Sequence, residues 1–237
     1  MATFVAVHGA FLGGWVWKQL AARLESLGHT VYRPTLTGCA EREHVGGAHV
    51  NLTTHIFDVA GLIAFEELED VILIGHSYGG MVITGVAQAV TPRIRGLIHL
   101  DAFVPRDGES VLDLIGMALL DHAQKLADEQ GDGWRVPFFL PISKFCADDD
   151  PAQTILAAKV RGMPINPFPE KLACPTDTSR LPMLFVYCRD NPLGMFEGSR
   201  ARAMERPHTK VVDLDARHAL MLTKPDEVAR LCHDFAR

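Results

Sequence analysis

The sequence predicts a mostly parallel sheet of about six strands, covered by helices on both faces and broken once by an inserted cap. Three observations predict this fold. Short apolar β-type runs alternate with stretches of helical period along the chain. One of those runs, Val71 to Ile74, passes directly into Gly75-His76-Ser77-Tyr78-Gly79-Gly80 and then into a helix-period stretch. The alternation lapses from about residue 106 to 180 and then resumes, as expected of an insertion rather than a second domain.

In chain order, Phe4 to Val7 reads as a buried strand that ends at His8-Gly9. The glycine-rich loop Gly9 to Gly14 follows. Trp17, Leu20, Ala21, Leu24 and Leu27 then recur at helical spacing, with Gly28 placed as the C-terminal cap. Thr30 to Tyr32 is a second strand, stopped by Pro34, and residues 36 to 51 read as loop. Thr53 or Thr54 is the expected cap of a helix that buries Ile56, Val59, Ala60 and Ile63. The strand, turn and helix around Ser77 come next, to about Val90. Ile94 to Leu100 is the following strand and leaves Asp101 at its end. After the lapse, strands are expected at Leu181–Tyr187 and Thr209–Leu214, and helices at Met195–Glu205 and Pro225–Phe235. The core is therefore expected over residues 1–105 and 181–237, with 106–180 as the cap.

The 237 residues suit one domain with a large core. A net charge of -6 argues against nucleic acid or an anionic membrane surface as a partner, since both favour basic faces. Five widely spaced cysteines, none in a C-x-x-C pair, read as reduced thiols. With no signal-peptide pattern after Met1 and no membrane-length apolar run, the expected location is the cytoplasm.

The chemistry is concentrated at Gly75-His76-Ser77-Tyr78-Gly79. A serine in G-x-S-x-G between a strand and a helix sits on a strained elbow, with its hydroxyl beyond the sheet end. Such a hydroxyl needs a base, and the base needs an orienting acid. Chemistry on a parallel sheet gathers at the carboxyl ends of strands. His218 follows the strand Thr209–Leu214, and Asp190 follows Leu181–Tyr187. The chain order Ser77, Asp190, His218 is the order of the elbow motif. Asp101 also ends a strand and is the rival acid. The backbone N–H groups of Ala10 and Tyr78 are the expected oxyanion hole. His8 is expected to bond backbone near its loop. His76 is expected to point away from the serine. His44, His49 and His55 are read as structural or surface groups rather than metal ligands.

At these residues the chain resembles the α/β-hydrolase superfamily, and within it the small esterases grouped with plant methylesterases and hydroxynitrile lyases. The resemblance is carried by Val7 to Trp15, Pro34 to Gly38, Gly75 to Met81, Leu100 to Pro105, Asp190 and His218 to Leu222. It is poor across 106–180. It implies Ser77, Asp190 and His218 as a catalytic triad and the Ala10 and Tyr78 amides as oxyanion hole. Lyase members of that group carry a threonine after the first-loop histidine and a lysine after the triad histidine. The matching positions here are Gly9 and Ala219, neither of which can hold a cyanohydrin hydroxyl or a leaving cyanide.

The expected function is therefore a cofactor-independent, metal-free serine esterase acting on small apolar esters or carbamates. A non-catalytic receptor on the same fold is the alternative, and a hydroxynitrile lyase a weaker one. Phe11, Leu12, Phe103, Trp134 and Phe138 are the candidate pocket walls, with Phe139 and Met163 as further ones. The natural substrate stays open, as does assembly, for which a homodimer through an exposed apolar cap face is the one arrangement suggested.

Overall fold

The structure, a computed structural model, describes residues 1–237 except for the side chain of residue 120. The first half of the chain builds β1 (Thr3–Val7), α1 (Lys18–Ser26), β2 (Thr30–Tyr32), α2 (Leu52–Phe65), β3 (Val71–Ser77), α3 (Gly79–Ala89) and β4 (Ile94–Ala102). Then come α4 (Val111–Ile115), α5 (Met117–Gln130), β5 (Arg135–Val136), α6 (Ala152–Lys159) and β6 (Met163–Pro164). The chain closes with β7 (Met183–Cys188), α7 (Glu197–Glu205), β8 (Thr209–Leu214), α8 (Leu220–Thr223) and α9 (Pro225–Phe235).

Six strands form one sheet in the order β2-β1-β3-β4-β7-β8, every neighbouring pair parallel. β5 and β6 make a separate two-stranded antiparallel ribbon between β4 and β7 in sequence. The sheet is apolar on both faces, which is why its strands read as continuous β-formers rather than as alternating patterns. Val5, Val7, Leu73 and Phe185 pack on one face against α2, α3 and α7, through residues such as Val59, Val82 and Ala203. Phe4, Ala6, Ile72, Ile74 and Leu184 pack on the other against α1, α8 and α9, through residues such as Leu20, Met221 and Val228. Each such side chain, fully buried, contributes roughly 1.5–3 kcal/mol. No helix among the described residues is long and apolar enough to cross a membrane.

The cap of α2 differs from expectation. Asn51, not Thr53 or Thr54, is the N-cap: its Oδ1 accepts from the Thr54 N–H at 2.9 Å, and the Thr54 hydroxyl accepts from the Asn51 N–H at 3.3 Å. Thr54 lies three residues inside the helix and completes a reciprocal capping pair.

α3 enters the sheet very close to its neighbours. A Cβ on Gly79 would lie 2.5 Å from the Val7 carbonyl oxygen, and one on Gly80 only 2.1 Å from that of Phe103. A Cβ on Gly75 would lie 2.7 Å from the Gly79 carbonyl oxygen. These contacts seat the Ser77 turn between β1 and β4. By contrast, a Cβ on Gly61, inside α2, meets nothing within 4 Å. Gly80→Ala is therefore expected to cost about 1–3 kcal/mol. Gly61→Ala is expected to add roughly 0.5–1 kcal/mol by removing a helix-interior glycine. Urea unfolding midpoints of the two variants should move in opposite directions, and a shared direction would refute the assignment.

Candidate active site

Ser77 ends β3 with φ of +54°. A left-handed backbone at a residue with a side chain is strained and persists only where packing holds it. Tyr78 follows in helical conformation, so α3 begins immediately behind the serine. The Ser77 carbonyl accepts from the Phe103 N–H at 3.2 Å, which ties the turn to the end of β4.

That end carries a bulge. His76 pairs with Leu100 and Ser77 with Ala102, so Asp101 is the extra residue. Its φ is +46°. A bulge re-aims the side chain it displaces. Here it turns the wholly buried Asp101 toward His218, whose Nδ1–H donates to Asp101 Oδ2 at 2.7 Å. The Cys188 N–H donates to the other oxygen at 3.2 Å, and the Asn191 side-chain amide donates to Oδ2 at 2.6 Å. Because Nδ1 carries the proton, Nε2 is left as the basic atom of the ring.

The structure thus brings Asp101, and not the expected Asp190, onto the His218 imidazole. Asp190 is exposed in the turn after β7; its backbone N–H binds the Ala216 carbonyl at 3.2 Å, and no side-chain bond joins it to His218 among the described residues. The loop expected to supply the acid does reach the imidazole, but with Asn191.

His218 is held on every side. Phe196 stacks on the ring at 5.1 Å between centroids, Phe145 lies 5.5 Å away, and the His76 ring lies 4.3 Å away. His76 turns from the serine, as expected, and its Nε2–H donates to the His218 carbonyl at 2.9 Å. The Ala219 N–H donates to the Phe145 carbonyl at 2.8 Å, and Arg217 donates to the Ser143 and Cys146 carbonyls. His218 is therefore clamped from both the sheet and the segment at 143–146.

Two more buried histidines brace the loops. His8 Nδ1–H donates to the Gly9 carbonyl at 2.8 Å, while its Nε2 accepts from the Leu36 N–H at 3.0 Å. His55 Nε2–H donates to the Thr37 carbonyl, so its Nδ1 accepts from the Tyr78 hydroxyl at 2.9 Å. His44 and His49 are exposed, apart from His55, so the three do not converge. The Ala10 and Tyr78 backbone N–H groups donate to no protein acceptor among the described residues.

Ser77, His218, Ala10 and Tyr78 all border one cavity, whose empty space comes to about 700 Å³ when its open mouth is included. Every other lining side chain is apolar. Phe11 and Phe103 border it as expected, with Phe139, Phe145 and Phe168, and with Ile115 and Met195 at one side. Four expected walls lie elsewhere. Leu12 packs in the core on the opposite sheet face. The Trp134 ring covers Gly46 outside the cavity. Phe138 stands behind the lining, edge-on to Phe11 at 5.5 Å. Met163 is likewise buried away from the cavity, in β6.

A parallel sheet whose central strand ends in a strained serine, beside a buried histidine–aspartate pair, defines a hydrolase-type α/β fold. Residues 4–231 match the alpha/beta hydrolase family, and the chain belongs to that family. A carbendazim hydrolyzing esterase of Nocardioides sp. (strain SG-4G) is 57% identical over 119 residues, a match that takes in 50% of this chain and 49% of the esterase. A pyrethroid hydrolase of Sphingobium wenxiniae is 26% identical over 98% of this chain and 86% of its own. Among solved structures, an extracellular alpha/beta-hydrolase from a Paenibacillus species superposes with a TM-score of 0.85 at 27% identity, covering 100% of both chains. That protein is described as sharing structural and functional homology with tobacco Salicylic Acid Binding Protein 2.

The buried histidines make stability depend on pH. Burial pushes His8 down to about 4 and His99, in β4, down to about 3, from an ordinary 6.5. Burial also lowers His76, strongly, and His55. In this window the unfolded chain binds protons that the folded chain refuses, so stability is complete above pH 6.5 and falls as pH drops toward 4. At pH 5, His8 and His99 together should account for about two protons taken up on unfolding, and His76 adds to them in the same direction. The slope of urea-unfolding free energy against pH between 6.5 and 4 measures this, and a flat profile would contradict it.

Proposed function

We propose that the chain is a cofactor-independent serine hydrolase of small, uncharged, largely apolar carboxylic esters and related acyl bonds such as carbamates. One observation carries the reading: a strained serine, a histidine bonded from behind to a buried aspartate, and the residues of two free backbone N–H groups border the same apolar cavity. The names of two relatives, a carbendazim hydrolyzing esterase and a pyrethroid hydrolase, support it.

The steps follow from the geometry. The ester carbonyl enters between the phenylalanines and Ser77. Ser77 Oγ attacks the carbonyl carbon while His218 Nε2 takes its proton. Asp101 stabilises the imidazolium through Nδ1–H, without accepting the proton. The oxyanion that forms is met by the Ala10 and Tyr78 N–H groups, and the dipole of α3 adds to them. His218 returns the proton to the leaving alcohol, and the acyl group stays on Ser77. Water, giving its proton to Nε2, then releases the acid and restores Ser77. Three features of the wall favour uncharged substrates: it is apolar, aromatic and free of any lysine or arginine to pair a carboxylate.

The group that a lyase needs finds no room. A Cβ at Gly9 would lie 2.8 Å from both His76 Nδ1 and Ser77 Cβ, so a threonine there would displace the nucleophile. Ala219 is fully buried and offers no space for a lysine.

The test is turnover of a short nitrophenyl ester, a methyl carbamate and a cyanohydrin by four proteins. Ser77→Ala should lower ester kcat by up to about 10⁶-fold. Asp101→Asn should lower it by about 10⁴-fold, through loss of the correct imidazole tautomer. Asp190→Asn should stay within about twofold, as expected of a surface change. Cyanohydrin should not be cleaved. Binding of an apolar ester without turnover by the folded wild type would replace this reading with a receptor.

A further inference from the structure

We propose that Asn191 is the positioning residue of the acid–base pair, and that it occupies a second post from which a carboxylate would serve His218. The proposal rests on the reading of Ser77 and His218 as nucleophile and base.

The geometry around Asn191 is fixed from three directions. Its backbone N–H donates to the Cys188 carbonyl at 3.2 Å, and its Oδ1 accepts from the Leu193 N–H at 2.9 Å. With Oδ1 so occupied, the amide nitrogen must point the other way, onto Asp101 Oδ2 at 2.6 Å. The same nitrogen lies 3.4 Å from His218 Nδ1. Both nitrogens are donors, so this contact is no bond between them; it is two donors sharing one oxygen. Asp101 Oδ2 is therefore held between the imidazole and the amide, and the Cys188 N–H holds Oδ1. Asp101 alone, on a strained bulge, has rotational freedom about its side-chain bonds. The Asn191 amide removes that freedom at the oxygen that faces the base.

The amide also stands where an acid is expected. Asn191 follows β7, the place in the elbow motif's chain order from which the third member is supplied. A carboxylate there, with an amide at 101, would exchange the two roles while keeping every donor matched to an acceptor: position 101 would donate to 191, and His218 Nδ1–H would turn to 191. No atom is added and one charge is moved by one residue contact.

Three measurements on the full chain test this. Asn191→Ala should lower kcat about 10–100-fold at nearly constant KM, because a misplaced base slows chemistry and not binding. Its low-field His218 Nδ1–H proton resonance should shift or exchange away, a signal independent of turnover. The reciprocal double variant Asp101→Asn with Asn191→Asp should recover at least about 100-fold over Asp101→Asn alone. An unshifted resonance with unchanged kcat in Asn191→Ala, or a folded double variant no better than Asp101→Asn, would overturn the proposal. Should the wild type hydrolyse no ester, the proposed function fails, while the resonance still decides the role of Asn191. Circular dichroism of each variant separates unfolding from loss of positioning, and partial exposure of Asn191 makes the alanine variant tolerable to the fold.

Discussion

The structure depends on one steric constraint: α3 must begin within a few ångströms of two strands at once. Three positions without side chains, Gly75, Gly79 and Gly80, let the helix turn back on β3 while touching the backbones of Val7 and Phe103. The cost is the left-handed backbone of Ser77. That strain, of order 1–3 kcal/mol, is held by the packing on either side. In return the serine projects beyond the sheet, and the free end of α3 stands behind it. The bulge at Asp101 answers the same constraint from the next strand: its extra residue lets β4 reach Phe103 and bond back to Ser77.

Much of the fold was legible in the chain because buried parallel strands announce themselves as short, unbroken runs of β-formers. Thr30–Tyr32 and Thr209–Leu214 match residue for residue, and the helix Pro225–Phe235 does as well, its first-turn proline marking the start. The elbow was legible for a different reason, since its glycines have no alternative. Ser77 and His218 border one cavity because strand ends bring them there.

The carboxylate that meets His218 was not legible. Chain order pointed to the loop after β7, and that loop does arrive at the imidazole. What order cannot reveal is a bulge, which depends on how two strands pair and leaves no mark on hydrophobic period. It turned Asp101 inward, and Asp190 was left in solvent one residue away from Asn191. The cavity walls were partly illegible for a related reason. Between β4 and β7 the chain folds through short pieces without a common period, so aromatic residues there carry no sign of which way they face. Phe139 and Phe138 are neighbours in sequence, yet one borders the cavity and the other backs it.

The hydrogen bonds that clamp His218 tie the wall of the cavity to the seat of its imidazole. Ser77 and Asp101 belong to adjacent strands of the sheet. His218 is different: the Ser143, Phe145 and Cys146 carbonyls, all from the segment between β4 and β7, hold Arg217 and Ala219 on either side of it. Phe145 from that same segment also forms part of the cavity wall. One short piece of chain thus serves as wall and as bearing. A displacement that broke those bonds would free the residues on either side of His218, so the cavity wall and the seat of the imidazole are mechanically one part.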